Sequence, residues 1–184
     1  MTQKPLDNGG GCNDYKYLFD KVFTLFRPHT ILEFGLGEGS KYLHKNCDKL
    51  YSFEITVREE QKGWADYVKS FNLPNHDVRE IYFGDTYTEE LERELQSIIS
   101  EAKPDFVFVD SGCHARGEIV ELCFRNDIFI ITAHDTNHGI EKYGWNNIII
   151  PDEYYLVNYD NGQGTKLWTF DLSLSQEIQK EILS

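Results

Sequence analysis

The chain has 184 residues, of which 40% are hydrophobic and 14% aromatic, so we expect one compact domain over residues 1–184 with a sizeable core and not a disordered chain. The formal net charge of −13 repels phosphate backbones and anionic lipid surfaces. Nucleic acids and membranes are therefore disfavoured as partners.

The cysteines and the N-terminal residues indicate where the protein is located. Cys12, Cys47, Cys113 and Cys123 include no pair at C-x-x-C spacing, which predicts free thiols in a reducing compartment. Residues 1–13 are polar and glycine-rich, so we expect them to be flexible and not to form a signal peptide. No stretch approaches the roughly 18 apolar residues of a membrane span. We therefore expect a cytoplasmic protein.

Helical and strand patterns alternate along most of the chain. Apolar residues recur at helical spacing up to Pro28, which predicts a leading amphipathic helix over residues 14–27. Strand composition is found at residues 31–34, 50–55, 80–83, 105–109 and 127–132, and helical patterns at residues 41–47, 58–71, 88–102 and 116–124. Repeated β-α units imply right-handed crossovers and a parallel sheet with helices on both faces. The predicted fold class is therefore α/β.

The end of the chain breaks this alternation. Residues 154–159 and 165–171 read as two strands joined by a turn that contains Asn161, Gly162 and Gly164. This turn is typical of a hairpin because Asn and Gly tolerate positive φ. One of the two strands must therefore run against the rest of the sheet. Residues 174–183 are predicted to form a short final helix.

The segment 31–40, ILEFGLGEGS, carries the strongest functional signal. A strand leads directly into Gly35, Gly37 and Gly39, and a helix follows. Glycines let the backbone approach a ligand closely, and a helix start offers unpaired N–H groups to an anion. This arrangement is typical of a site for a nucleotide-containing cofactor. A dinucleotide fingerprint would need glycine in place of Ser40, which disfavours NAD.

Acidic residues follow at the ends of the next two strands. Glu54 ends the second strand about 20 residues after the first loop glycine, where a carboxylate accepts ribose hydroxyls. Gly84 and Asp85 close the third strand, at the height expected for an adenine amino group. Each feature taken alone is equally compatible with an ordinary turn and with a ligand site. Their order favours one cofactor crevice at the carboxyl ends of the strands.

The segment from Glu33 to Gly39 resembles the E/D-x-G-x-G-x-G motif of class I S-adenosylmethionine (SAM)-dependent methyltransferases. The resemblance covers about residues 30–171. It implies a three-layer αβα sandwich with a doubly wound, mostly parallel seven-stranded sheet of order 3-2-1-4-5-7-6, the last strand antiparallel. It also implies SAM as cofactor, with these residues as its binding site: Glu33, Gly35, Gly37, Gly39, Ser40, Glu54, Gly84, Asp85 and Asp110.

Two later strand ends carry side chains suited to methyl transfer, for which the protein must align an acceptor and help it lose a proton. Asp110 and His114 follow the fourth strand, and His134 and Asp135 follow the fifth. These segments resemble the V-D-G-x-H and H-D-T strand ends of the small-molecule and sugar O-methyltransferase branch. The resemblance implies all four as catalytic residues, with His114 or His134 as the base.

Some members of that branch bind a divalent metal at these strand ends. The resemblance then implies Asp110 and Asp135 as ligands of Mg²⁺ or another divalent cation, which would acidify an acceptor hydroxyl. The sequence departs from the pattern, because the segment from Asp110 to His114 is one residue longer than usual. Structural roles stay open as well: Asp110 as a helix cap, and His134 as a hydrogen-bond partner of a backbone carbonyl.

These residues predict transfer of the SAM methyl group to a hydroxyl of a small metabolite or sugar. A small-molecule substrate is therefore the expected partner, and a homo-oligomer is left open. The D/N-P-P-Y/F signature of nucleic-acid amino methyltransferases does not follow the fourth strand, in agreement with the acidic charge. Two alternatives are kept: a SAM-binding partner or sensor subunit without turnover, and an NAD-linked oxidoreductase, which Ser40 disfavours.

Overall fold

A seven-stranded sheet with helices on both faces forms the protein in the computed structural model, which describes residues 13–56, 63–82, 86–112 and 115–183. The strands are β1 (Thr30–Phe34), β2 (Lys49–Thr56), β3 (His76–Tyr82), β4 (Phe106–Val109), β5 (Ile130–His134), β6 (Tyr155–Tyr159) and β7 (Thr165–Thr169). The helices are α1 (Asn13–Leu25), α2 (Gly39–Lys45), α3 (Trp64–Lys69), α4 (Glu89–Ala102), α5 (Arg116–Phe124) and α6 (Leu172–Ile182).

The strand order is β3-β2-β1-β4-β5-β7-β6, which confirms the predicted topology. Strands β1 to β5 pair in parallel, whereas β7 runs antiparallel to both of its neighbours, β5 and β6. The predicted hairpin is therefore present, and its second strand is the reversed one. The carboxyl ends of β1 to β5 share one edge of the sheet. The chain winds outward in opposite directions from β1 and β4, which opens a crevice between their ends.

The central strands are buried on both faces, as a parallel sheet covered by helices requires. Every residue of β1, β4 and β5 is buried. On β1, Leu32 and Phe34 belong to the core shared with α4 and α5, while Ile31 faces the core shared with α1, α2 and α6. The site at the strand ends is therefore held from two independent cores.

The leading helix α1 confirms the predicted element and packs through aromatic rings on β4. The Phe19 ring lies 5.5 Å from that of Phe106 and 5.1 Å from that of Phe108, measured between centroids. In the first turn of the helix, Tyr15 meets the His134 ring edge-on at 5.2 Å. Helix α1 therefore reaches the carboxyl edge of the sheet, where the candidate catalytic residues lie.

The predicted starts of two strands, β3 and β5, were wrong. Strand β3 starts at His76, four residues before the predicted start, and β5 starts at Ile130 instead of residue 127. Asp127 has a left-handed φ of 51°, and the Ile128 N–H donates to the Cys123 carbonyl to close helix α5. These residues therefore cap a helix, and β5 extends to His134.

Smaller differences concern the remaining helices. Asp171 caps α6 and does not belong to β7, because its carboxylate accepts the Leu174 N–H at 3.0 Å. Helix α3 is shorter than the predicted 58–71, of which residues 58–62 lie outside the described part of the chain. None of the described helices is both long and apolar enough to cross a membrane.

Candidate active site

The chain bends sharply where β1 ends, and only glycine fits the bend. Gly35 has a φ of 105°, and its N–H donates to the Phe53 carbonyl at 2.8 Å. A Cβ at this position would lie 2.4 Å from the backbone oxygen of Asp110. An L-residue would therefore clash with backbone in addition to being strained. The bend brings the glycine loop directly against the end of β4.

Gly37 shows the opposite environment. A Cβ added there would have no heavy atom within 4 Å. The rest of the described protein therefore does not require glycine at this position, and the loop backbone borders open space. The remaining predicted loop residues, Gly39 and Ser40, begin α2 and are buried. The exposed edge of the loop is thus its middle, around Gly37.

Glu33 is buried behind the loop and bonded to hydroxyls of the protein. Its Oε2 accepts hydrogen bonds from Ser40 Oγ at 2.8 Å and from Ser52 Oγ at 2.6 Å. Burial raises the pKa of Glu33 to about 8, although the two hydroxyl donors act in the opposite direction. Glu33 therefore ties β1 to α2 and β2. Ser52 was not predicted as a site residue, because a serine within a buried strand gives no distinct sequence signal.

Glu54, at the end of β2, reaches the glycine loop. Its Oε2 accepts the Leu36 N–H at 3.0 Å, and the residue is only 4% exposed. Burial raises the pKa of Glu54 to about 8, and the charges of Asp110 and Glu80 act in the same direction. The predicted ribose acid and the predicted glycine loop therefore lie in contact. Gly84 and Asp85, the other predicted cofactor residues, fall outside the described residues, as do Cys113 and His114.

Across the crevice, the ends of β4 and β5 bring three predicted residues together. His134 Nδ1 lies 3.4 Å from Asp110 Oδ1 and 3.3 Å from Asp135 Oδ1. His134 is 6% exposed, and its Nε2 has no hydrogen-bond partner among the described residues. Asp135 has a left-handed φ of 60°, a strained conformation for a residue other than glycine. Trp145 Nε1 donates to the Asp135 carbonyl at 3.0 Å and helps to hold that conformation.

The charges in this cluster shift the pKa values of two groups. Burial alone would raise the pKa of Asp110, but the charge of Arg116 and the hydrogen bond with His134 outweigh it and leave that pKa lowered. Burial alone would lower the pKa of His134, but its hydrogen bond to Asp110 and the charges of both carboxylates outweigh it, so that pKa is raised. The cluster therefore holds Asp110 as an anion.

Arg116 is a second residue at this edge that was not predicted from the sequence. It is 4% exposed, and its Nη1 donates to Asp110 Oδ1 and to Asp135 Oδ2, both at 2.9 Å. Nε donates to the Ser111 carbonyl at 2.6 Å, and Nη1 also reaches the His134 carbonyl at 3.1 Å. One signal could have found it. Arg116 is the first residue of α5, where the helix dipole disfavours a cation unless acidic groups neutralise it.

The predicted metal ligands lie together, but their arrangement does not fit a divalent ion. Asp110, His134 and Asp135 each offer one ligand atom, and these atoms lie within 4.8 Å of one another. The guanidinium of Arg116, however, already bridges the two carboxylates. A second cation between the same oxygens would meet a permanent positive charge.

Comparison with solved structures identifies the fold. A methyltransferase from Geobacter sulfurreducens superposes with a TM-score of 0.55 at 10% identity, covering 89% of this chain and 81% of that chain. An O-methyltransferase from Bacillus cereus in complex with SAH gives a TM-score of 0.60 at 14% identity, covering 90% of this chain and 84% of that chain. The sequence matches no protein-family model and no curated protein. The chain therefore has the Rossmann-like fold of the class I methyltransferases, as predicted.

The buried Glu33 predicts a stability that falls as the pH rises. The unfolded chain ionises this carboxyl near its ordinary pKa of 4.5, and the folded chain ionises it at about 8. Between these values the folded state binds more protons than the unfolded state, so rising pH favours unfolding. Glu33→Gln keeps an acceptor for both serine hydroxyls and removes the titration. We expect it to reduce the loss of stability between these pH values by a few kcal/mol, on the order of magnitude that such a shift implies.

Urea denaturation at a series of pH values measures this effect. Glu177→Gln, which removes an exposed carboxylate on α6, is the matched control and should follow the natural protein. A Glu33→Gln variant whose stability falls as steeply as that of the natural protein would contradict the assignment of Glu33 as a buried neutral acid.

Proposed function

We propose that this chain transfers the methyl group of SAM to a hydroxyl of a small metabolite or sugar. The observation that carries the proposal is the hydrogen bond from the Leu36 N–H to the Glu54 carboxylate at 3.0 Å. It places the acid of the second strand beside the glycine loop of the first, at the crevice where ligands of doubly wound sheets bind.

The residues around the crevice fit SAM. The open space beside Gly37 leaves room for a ligand against the loop backbone. The Glu54 carboxylate has a further oxygen that suits the two ribose hydroxyls, which are hydrogen-bond donors. SAM supplies a methyl group activated by a cationic sulfur, and a protein of net charge −13 attracts such a cation. The likeness to methyltransferase folds is consistent with this ligand.

The cluster at the ends of β4 and β5 supplies a candidate base. Nδ1 of His134 faces Asp110 and Asp135, so the tautomer that donates Nδ1–H to these carboxylates leaves the Nε2 lone pair unoccupied. Nε2 then accepts the proton of the acceptor hydroxyl as the methyl group is transferred. The two carboxylates stabilise the imidazolium that forms. Asp110 thus acts on the base, in addition to its predicted place at the cofactor crevice.

A second candidate function is SAM binding without turnover, as in a partner or sensor subunit. Two observations favour it. Nε2 of His134 is buried, with the Tyr15 ring packed against the imidazole, and Arg116 already binds both carboxylates of the cluster. In this case SAM binds in the same crevice, and no hydroxylated acceptor is methylated.

Gly37 distinguishes a ligand contact from a structural requirement. Because a Cβ there meets nothing in the described protein, Gly37→Val should change the free energy of unfolding by less than about 0.5 kcal/mol. A ligand against the loop would clash with the valine, so SAM affinity should fall about 10- to 100-fold, as an overpacked contact implies. Calorimetric titration with SAM measures the affinity. Unchanged affinity would place the ligand elsewhere, while Gly35→Ala should unfold the loop or the protein.

Glu54 gives a test with its own pH signature. We expect Glu54→Gln to weaken SAM binding above pH 8 by about 1.5–3 kcal/mol, the contribution of a hydrogen bond to a charged group. The natural protein should bind SAM more tightly as the pH rises through about 8, because the carboxylate ionises in that range. The variant should lack this increase, since the titration of the ligand itself is common to both proteins. Glu177→Gln is again the control, and parallel pH profiles would refute the contact.

The catalytic assignment rests on His134. His134→Gln should leave the dissociation constant of SAM unchanged and slow methyl transfer about 10²- to 10⁴-fold, the usual contribution of a positioned base. Transfer from methyl-labelled SAM to a panel of monosaccharides, sugar nucleotides and catechols measures turnover. Tight SAM binding with no transfer to any of them would support the second candidate function. Full activity in His134→Gln would remove this residue from the mechanism.

A further inference from the structure

We propose that Arg116 takes the place of a divalent metal in this site: its guanidinium is the resident cation of the Asp110, His134 and Asp135 cluster and keeps metal ions out of it. The metal exclusion stands on the geometry alone, whereas its consequence for turnover rests on the proposed function. Arg116 is a positioning residue in this scheme, because it acts on the acids that orient His134.

The guanidinium lies where a metal would have to lie. Arg116 Nη1 is 2.9 Å from one oxygen of Asp110 and 2.9 Å from one oxygen of Asp135, the range of charge-assisted hydrogen bonds. A divalent ion shared by the same two carboxylates would need oxygens at about 2.0–2.6 Å. An ion held by these two oxygens would therefore lie close to the guanidinium and be repelled by its charge.

The guanidinium is anchored by backbone as well as by the acids. Nε donates to the Ser111 carbonyl and Nη1 to the His134 carbonyl, and the side chain is 5% exposed. Displacing the guanidinium would leave buried carbonyls without these partners, and each broken hydrogen bond adds to the free-energy cost. Arg116 is therefore not a surface side chain that swings aside for an incoming ion.

The loop after β5 closes over this arginine. The Tyr143 ring centroid lies 4.2 Å from the guanidinium carbon of Arg116, a cation–π contact. Gly117 permits the contact, because a Cβ there would lie 2.9 Å from the Tyr143 carbonyl oxygen, which accepts the Gly117 N–H at 2.9 Å. The neighbour of Arg116 in α5 thus allows the aromatic ring to pack on the guanidinium.

Arg116 offsets part of the negative charge of the cluster without a metal. Asp110 and Asp135 approach the same histidine, and two carboxylates so close would repel each other unless a cation lay between them. Arginine is always charged in proteins, so it fulfils this role at every pH of interest. Unlike a metal, it cannot coordinate a hydroxyl oxygen and acidify it in that way. Acceptor oxygens are therefore not held by chelation, and the hydroxyl proton passes to His134.

Titration with Mn²⁺, followed by electron paramagnetic resonance, tests the proposal without any methyl transfer. The natural protein should show only the weak binding expected of its acidic surface. Arg116→Met should gain one Mn²⁺ site that binds about 10-fold or more tightly than this background, since three ligands become free. The double variant Arg116→Met with Asp135→Asn should lose the site again. Arg116→Lys keeps a cation there and should not gain it.

A single Mn²⁺ site in the natural protein that disappears in Asp135→Asn would overturn the proposal, and this comparison decides it even if Arg116→Met fails to fold. In the turnover assay, chelation with EDTA should leave the rate unchanged, and a rate that requires added Mg²⁺ would also overturn it. Failure to bind SAM would instead remove the proposed function and leave the Mn²⁺ result standing, so the two failures are distinguishable.

Discussion

The packing of the Gly35 backbone on that of Asp110 is the contact on which the site depends. It joins the end of β1 to the end of β4, the two strands from which the chain winds in opposite directions. On one side of this contact the loop opens at Gly37 and receives the Glu54 carboxylate at Leu36. On the other side Asp110 belongs to the cluster with His134 and Asp135. A single backbone approach thus sets the distance between the Glu54 side and the His134 side of the crevice.

Acidic groups at this edge are stabilised in two different ways. Glu33 and Glu54 are buried among hydroxyl and amide donors, and burial raises the pKa of each to about 8. Asp110 also has an acidic neighbour, Asp135, but it lies beside the permanently charged Arg116, and its pKa is lowered. The chain therefore places acids with raised pKa values beside the glycine loop, and a pair of carboxylates bound by arginine at the ends of β4 and β5. This division follows from one arginine.

Much of the fold was predictable because its signals are local. The apolar run of β4 indicated a central parallel strand, and the glycine turn indicated a hairpin with one reversed strand. The motif resemblance supplied the strand order and the antiparallel last strand. Glu54 and the loop lie at the same crevice, as predicted, since strand ends share one edge by topology. Boundaries failed at Asp127, where a helix cap and a strand start have similar composition.

What the sequence did not reveal depends on side-chain direction. An arginine at the first turn of a helix is most often solvated, and periodicity does not tell that Arg116 turns back into the crevice. The strained backbone of Asp135 also leaves no sequence signal, because it depends on the packing of the following loop through Trp145. Both features determine the position and charge of Asp110 and Asp135. Neither alters the hydropathy pattern from which the strands were predicted.

Under the proposed function, the buried carboxyl of Glu54 links ligand binding to the stability of the fold. The neutral carboxyl is favoured by burial but is the weaker hydrogen-bond acceptor. The ionised carboxylate is the better acceptor for ribose hydroxyls, but its burial costs free energy. An occupant that donates hydrogen bonds to the ionised carboxyl offsets that cost. In alkaline solution the empty protein is therefore the fragile form, and the occupied crevice acts as part of the core.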